Sequence, residues 1–128
     1  MKILCIDDDE DDREMLDMAL RAANPLVDVA FAGDGRAGLE FLQRAKAADE
    51  LPCLVVLDIN MPVMDGRKTL ENIRIDPVLQ NLPVVIFTSS QNLNDRNFFA
   101  HKASEFITKP TSPSALSVIA HRLLSYCA

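Results

Sequence analysis

The chain has 128 residues and carries 13 basic against 19 acidic side chains, a net charge of −6. At 48% apolar and 25% charged it can bury one core of ordinary domain size. A net acidic chain with no basic stripe excludes a nucleic-acid binder, and no apolar run approaches a membrane span.

The first strand is expected at Ile3-Leu4-Cys5-Ile6, a continuous apolar run that suits a strand buried on both faces. It is too short for a signal peptide. Six acids follow, Asp7 to Asp12. Without them the remaining 13 acidic residues balance the 13 basic ones, so the whole net charge sits in this one run. Leu16, Ala19, Leu20 and Ala23 then recur at the spacing of one helix face, and Asn24-Pro25 stops it. Val27 to Phe31 alternates apolar and polar, as an edge strand with one wet face does. Ala37, Phe41 and Ala45 predict the buried face of a helix over 35–48.

Leu54-Val55-Val56-Leu57 predicts the third strand, and Leu70 and Ile73 a helix ended before Pro77. Val84-Val85-Ile86-Phe87 predicts the fourth strand. Gln91 to Lys102 is expected as the fourth helix, although Asn92, Asn94 and Asn97 are poor helix formers. Glu105-Phe106-Ile107-Thr108 is a weaker fifth strand. Leu116, Ile119, Ala120, Leu123 and Leu124 mark the last helix, with Ser112 as N-cap and Pro113 in its first turn. Five βα repeats predict a three-layer α/β fold with a parallel sheet, a single domain over 1–128.

Each strand ends in polar chemistry: Asp7-Asp8, Asp58, Thr88 and Lys109. In an open parallel sheet, ligands sit beyond the carboxyl ends of the strands, where strand order reverses. With order 2-1-3-4-5 that point lies between the first and third strands, so Asp7, Asp8 and Asp58 share one crevice, with Thr88 and Lys109 beside it. Three clustered carboxylates repel unless a cation compensates. Oxygen ligands beside a phosphoryl-transfer site favour Mg2+, and Lys109 adds a second positive charge. A carboxylate, a metal, a hydroxyl and an ammonium suit carboxylate attack on phosphorus.

Asp7-Asp8, the segment Asp58-Ile59-Asn60-Met61-Pro62-Val63-Met64-Asp65-Gly66, Thr88-Ser89-Ser90 and Lys109-Pro110, in this order, resemble the receiver domain of two-component response regulators. The resemblance covers essentially the whole chain and implies a flavodoxin-like fold. It implies that Asp58 is the phosphoacceptor and that Asp7, Asp8, Asp58 and the Asn60 backbone carbonyl hold Mg2+. Thr88 is then the hydroxyl that follows the phosphoryl group, and Lys109, whose bond to Pro110 is cis in the family, pairs with a phosphoryl oxygen. Phe106 stands at the aromatic switch position, without the hydroxyl of the tyrosine often found there. Asn60 and Ser90 lie where the family tunes phosphoryl lifetime. The implied partners are a sensor histidine kinase or histidine phosphotransfer protein and an unknown downstream protein. The face of the fourth helix, fifth strand and fifth helix meets partners or a second copy, with Phe98, Phe99, Phe106 and Tyr126 as candidate contacts. No output domain and a cytoplasmic location are expected.

Plainer readings apply elsewhere. Asp9 can cap the first helix, and Glu10, Asp11 and Asp12 suit the positive end of its dipole. A calcium loop is excluded by the missing Gly and distal Glu. His101 and His121 are expected on the surface of helical segments. One of Phe98 and Phe99 is expected to face the core. Cys5, Cys53 and Cys127, an odd number without metal-ligand spacing, are expected as reduced thiols. Two rival readings remain: a haloacid-dehalogenase-type Mg2+-dependent phosphatase using Asp7, and a pseudo-receiver that only binds partners.

Overall fold

The computed structural model describes residues 1–128. Five parallel strands run β1 (Lys2–Ile6), β2 (Asp28–Ala32), β3 (Leu54–Leu57), β4 (Val84–Thr88) and β5 (Glu105–Thr108). They pair in the order β2-β1-β3-β4-β5, the common five-strand order on which the grouping of the acids is based. Five helices connect them: α1 (Glu10–Ala23), α2 (Gly35–Ala47), α3 (Gly66–Ile75), α4 (Leu93–Phe99) and α5 (Pro113–Leu124). A short 3-10 turn, Ser125–Cys127, follows α5.

The continuous apolar runs arise because the central strands are covered on both sides. Alternate residues of each strand point to opposite layers. Leu4, Ile6, Val55, Leu57, Val84 and Ile86 pack with Leu42, Leu70, Ile73 and Phe99 of α2, α3 and α4. Ile3, Cys5, Leu54, Val56, Val85 and Phe87 pack with Leu16, Leu20, Leu116, Ala120 and Leu123 of α1 and α5. Strand β2 shows its expected wet face, with Asp28 and Phe31 exposed and Val29 and Ala32 buried.

Every helix starts on a side-chain cap. Asp9, Asp34, Asp65, Asn92 and Ser112 accept from the backbone N–H of Asp12, Ala37, Lys68, Asn94 and Ala115. These caps satisfy donors that the first helical turn leaves open. The buried face of α2 is centred on Gly38, Leu42 and Ala45, so Phe41 flanks the core and is only half-buried. Helix α4 spans seven residues rather than the expected Gln91 to Lys102. Its Asn92 cap delays the start, and after Phe99 the chain turns, with the amides of Lys102 and Ala103 both donating to the Phe99 carbonyl. His101 therefore lies in an exposed turn, not on a helix.

The expectation of three reduced thiols is corrected. Cys53, just before β3, and Cys127, after α5, form a disulfide with Cα atoms 5.2 Å apart. The fold brings these termini of separate elements together across 74 residues of sequence, which spacing cannot reveal. Only Cys5 is free, and it is buried. The expected cis bond before Pro110 is also corrected, since every peptide bond is trans. Trans is the lower-energy form of an X-Pro bond, and Lys109 reaches its partners from it.

Candidate functional site

The sheet ladder continues one residue past the strand ends and thereby fixes the acids. The Asp7 N–H donates to the Ala32 carbonyl at 3.0 Å, and the Asp58 N–H donates to the Ile6 carbonyl at 3.0 Å. The Lys109 N–H donates to the Thr88 carbonyl at 2.7 Å. Three of the candidate residues, Asp7, Asp58 and Lys109, are thus held by backbone bonds at the carboxyl edge of β1, β3 and β5. Gly66 draws α3 onto this edge. Its N–H donates to the Ile59 carbonyl at 2.7 Å, and a Cβ there would overlap the Asp58 carbonyl oxygen. Only glycine permits this approach.

Lys109 is the centre of the charge arrangement. Its Nζ donates to Asp7 Oδ2 at 2.8 Å, Asp12 Oδ2 at 2.8 Å and Asp58 Oδ2 at 3.1 Å. The other oxygens of the two buried acids are also engaged. Asp7 Oδ1 accepts from the Asp9 N–H at 2.9 Å, and Asp58 Oδ1 from the Ile59 N–H at 2.7 Å. Arg13 adds a guanidinium hydrogen bond to the Asp7 carbonyl at 3.2 Å. Burial pushes the Asp7 carboxyl above the usual carboxylate range, and Lys109 and the Asp9 N–H only partly oppose it. For Lys109, burial alone favours the neutral amine. The hydrogen bonds to Asp12 and Asp7 and the nearby Asp58 charge outweigh it, and its pKa rises above the usual lysine value.

Asp7, Asp8 and Asp58 offer carboxylate oxygens within 4.8 Å of one another. One ammonium does not balance them together with Asp12. The donor set is all hard oxygen, and Asp8 faces solvent, from which an ion can enter. These residues fit a hydrated divalent cation such as Mg2+. Asn60 lies exposed two residues after Asp58. Thr88 is buried at the end of β4, and its Oγ1 accepts from the Ser90 N–H at 3.2 Å.

Sequence reasoning missed Asp12, which it placed with the dipole-complementing acids of α1. It lies one helical turn after Asp8, on the turn of α1 that faces the strand ends, but an acid in a first turn is ordinary there. The candidate contact residues do not form one patch. Phe99 is core, 1% exposed. Phe98 is half-buried, edge-on to Phe99 at 4.9 Å, with Lys102 Nζ 3.8 Å above its ring. Phe106 is half-buried in the same layer, under the Arg96 guanidinium at 5.0 Å. Tyr126 packs with the opposite layer, and its hydroxyl donates to Glu105 Oε1 at 2.6 Å.

A family model described as the response regulator receiver domain matches residues 3–121. Response regulator PleD of Caulobacter vibrioides is 36% identical over 110 residues, which are 85% of this chain and 23% of PleD. Response regulator Rcp1 of Synechocystis is 33% identical over 95 residues, 73% of this chain and 65% of Rcp1. The chain therefore spans about a quarter of the first relative and just under two thirds of the second. Among solved structures, the phosphorylated cyanobacterial phytochrome response regulator RcpA superposes with a TM-score of 0.87 at 29% identity, covering 98% of this chain and 91% of that one. The Mn2+-bound form of Rcp1 superposes with a TM-score of 0.84 at 27% identity, covering 98% and 93%.

Proposed function

The chain belongs to the response regulator receiver domain family, and from that premise we propose that it is a phosphoacceptor switch of a two-component relay. The observation that carries the reading is the Lys109 ammonium held among Asp7, Asp12 and Asp58 beside a three-carboxylate cluster. A phosphohistidine of a sensor kinase or phosphotransfer protein is the donor. An Asp58 carboxylate oxygen attacks phosphorus, and the new O–P bond forms as the P–N bond breaks. The electron pair returns to the imidazole nitrogen, which takes a proton, and Asp58 becomes an acyl phosphate.

Asp7, Asp8, Asp58 and the Asn60 carbonyl are the residues that would hold Mg2+, and when bound it supplies positive charge for the phosphoryl oxygens. Lys109 transfers its ion pair from the Asp58 carboxylate to a phosphoryl oxygen. The Thr88 hydroxyl, whose lone pair already accepts from Ser90, keeps its proton to donate to another. The added charge, about −1.5 to −2 by analogy with phosphate monoesters, biases Thr88 and Phe106 towards a second arrangement. Phe106 lies on β5, away from the strand ends, so its movement reports the event on a different face. The signal then leaves by a protein contact with a downstream partner or a second copy of the chain. Such a domain is a signalling switch rather than a conventional enzyme.

Incubation with acetyl phosphate and Mg2+, followed by intact mass, tests this reading. One added phosphoryl group is expected, lost in Asp58→Asn and without divalent cation. An unmodified mass under every donor would support the pseudo-receiver reading instead. Sustained hydrolysis of a generic phosphomonoester that depends on Asp7 would support the phosphatase.

A further inference from the structure

Asp95 is the one buried acid outside the cluster, 7% exposed, in the first turn of α4. Both of its carboxylate oxygens are engaged, one by the first turn of α3 and the other by the loop between β4 and α4. Oδ1 forms an ion pair with Arg67, the residue directly after Gly66. Oδ2 accepts from Ser90 Oγ at 2.7 Å. Ser90 Oγ in turn accepts from the Asn92 N–H at 3.2 Å, and the Ser90 N–H donates to Thr88 Oγ1.

A continuous path thus runs from the start of α3, which is packed on the Asp58 carbonyl, through Asp95 to the Thr88 hydroxyl. We infer that Asp95 is a positioning residue for phosphoryl transfer, locking the first turn of α3 to the β4–α4 loop so that Thr88 and Asp58 keep a fixed relation. The role rests on the proposed function above. It follows from hydrogen-bond logic. The Thr88 hydroxyl accepts from the Ser90 N–H, which orients it, and donates to no protein group, so its proton is free for an incoming oxygen. The Ser90 backbone stays in place because its side chain is tied to a buried carboxylate, itself held by a guanidinium. Without Asp95 the Ser90 hydroxyl has no buried anchor, and the loop samples positions in which Thr88 is misplaced. Misplacing a donor by about 1 Å costs up to about a hundredfold in rate.

The test is the rate of Asp58 phosphorylation at fixed acetyl phosphate and Mg2+ in a double-mutant cycle. Asp95→Ala and Ser90→Ala should each slow phosphorylation on the order of tenfold, and the double variant should be no slower than the slower single. Should Asp95→Ala fail to fold, Asp95→Asn takes its place in the cycle. Hydrogen exchange of the unphosphorylated variants adds a readout that general destabilisation does not mimic. The Ser90 amide should exchange roughly tenfold faster or more while amides of β1 and β3 are unchanged. Wild-type rates in Asp95→Ala, or a double variant slowed by the product of the singles, would overturn the role of Asp95 alone. A wild-type protein that accepts no phosphoryl group would overturn the proposed function and this role with it.

Discussion

Replacing Lys109 with methionine keeps the aliphatic stem and removes the one ammonium that three carboxylates share. That ammonium stands 2.8, 2.8 and 3.1 Å from Asp7, Asp12 and Asp58. Two of these partners, Asp7 and Asp58, are largely buried, whereas the Asp12 side chain is 35% exposed. Each buried pair is worth about 4 kcal/mol of attraction at 4 Å in an effective dielectric near 20. Desolvation of the ammonium opposes this, and breaking a buried pair costs about 3–5 kcal/mol net. The solvent-screened Asp12 pair adds at most about 1 kcal/mol. The variant should therefore lose about 3 kcal/mol in metal-free, low-salt buffer, roughly 10 °C in Tm for a domain of this size. The folded pKa of Lys109 is raised, so its contribution is complete below the unfolded lysine value of about 10.4. It is lost only as pH rises through the higher folded value. The deficit should thus be flat between about pH 6 and 9. Urea unfolding with and without Mg2+ checks the account. A cation at about a hundred times its Kd stabilises by about 2.7 kcal/mol, and the variant, with one positive charge fewer, should gain more from it than the wild type. A metal-free variant as stable as the wild type, or one with no larger Mg2+ response, would refute the reasoning.

The raised Asp7 pKa has the opposite sign. The folded state binds this proton more tightly than the unfolded chain, so metal-free stability should fall as pH rises from about 3.9 through the folded value. In urea titrations Asp7→Asn should flatten that fall, be more stable than wild type at about pH 7 without metal, and lose the response to Mg2+. Val63 has φ 67°, in the left-handed region that β-branched residues avoid. Val63→Gly should stabilise the protein by about 1 kcal/mol in the same assay, and a destabilised variant would contradict it. Burial pushes the Cys5 thiol up to about 12, and the other two cysteines are bonded to each other. A thiol reagent near neutral pH should therefore find no reactive group in the native protein, Cys5 alone after unfolding without reductant, and all of Cys5, Cys53 and Cys127 after unfolding with it.

The sheet is legible because burial on both faces turns β1, β3 and β4 into unbroken apolar runs, which end where the polar chemistry begins. Asp7, Asp8, Asp58, Thr88 and Lys109 can be grouped once the common strand order 2-1-3-4-5 is taken, because it places those ends side by side. What stays hidden depends on segments that meet only in the fold. Asp12 carries the same residue type that any first helical turn favours, and only the position of Lys109 distinguishes it. The Cys53–Cys127 disulfide and the Arg67–Asp95–Ser90 bridge join residues far apart in sequence, with no spacing to mark them. The alternation of strands and helices calls for a helix over Gln91 to Lys102, whereas Asn92 starts α4 late and the turn at Phe99 ends it early. The four aromatic candidates divide between core, two layers and a hydrogen bond, since sequence does not say to which side of β5 each ring turns.

Borohydride reduction of the phosphorylated protein tests the central claim most directly, because it converts an acyl phosphate into the corresponding alcohol and so marks the acceptor. Peptide mass mapping should find homoserine in place of Asp58 and unmodified aspartate at Asp7, Asp8 and Asp12. Conversion at Asp7, or no conversion in a protein that has gained the phosphoryl mass, would contradict Asp58 as the acceptor.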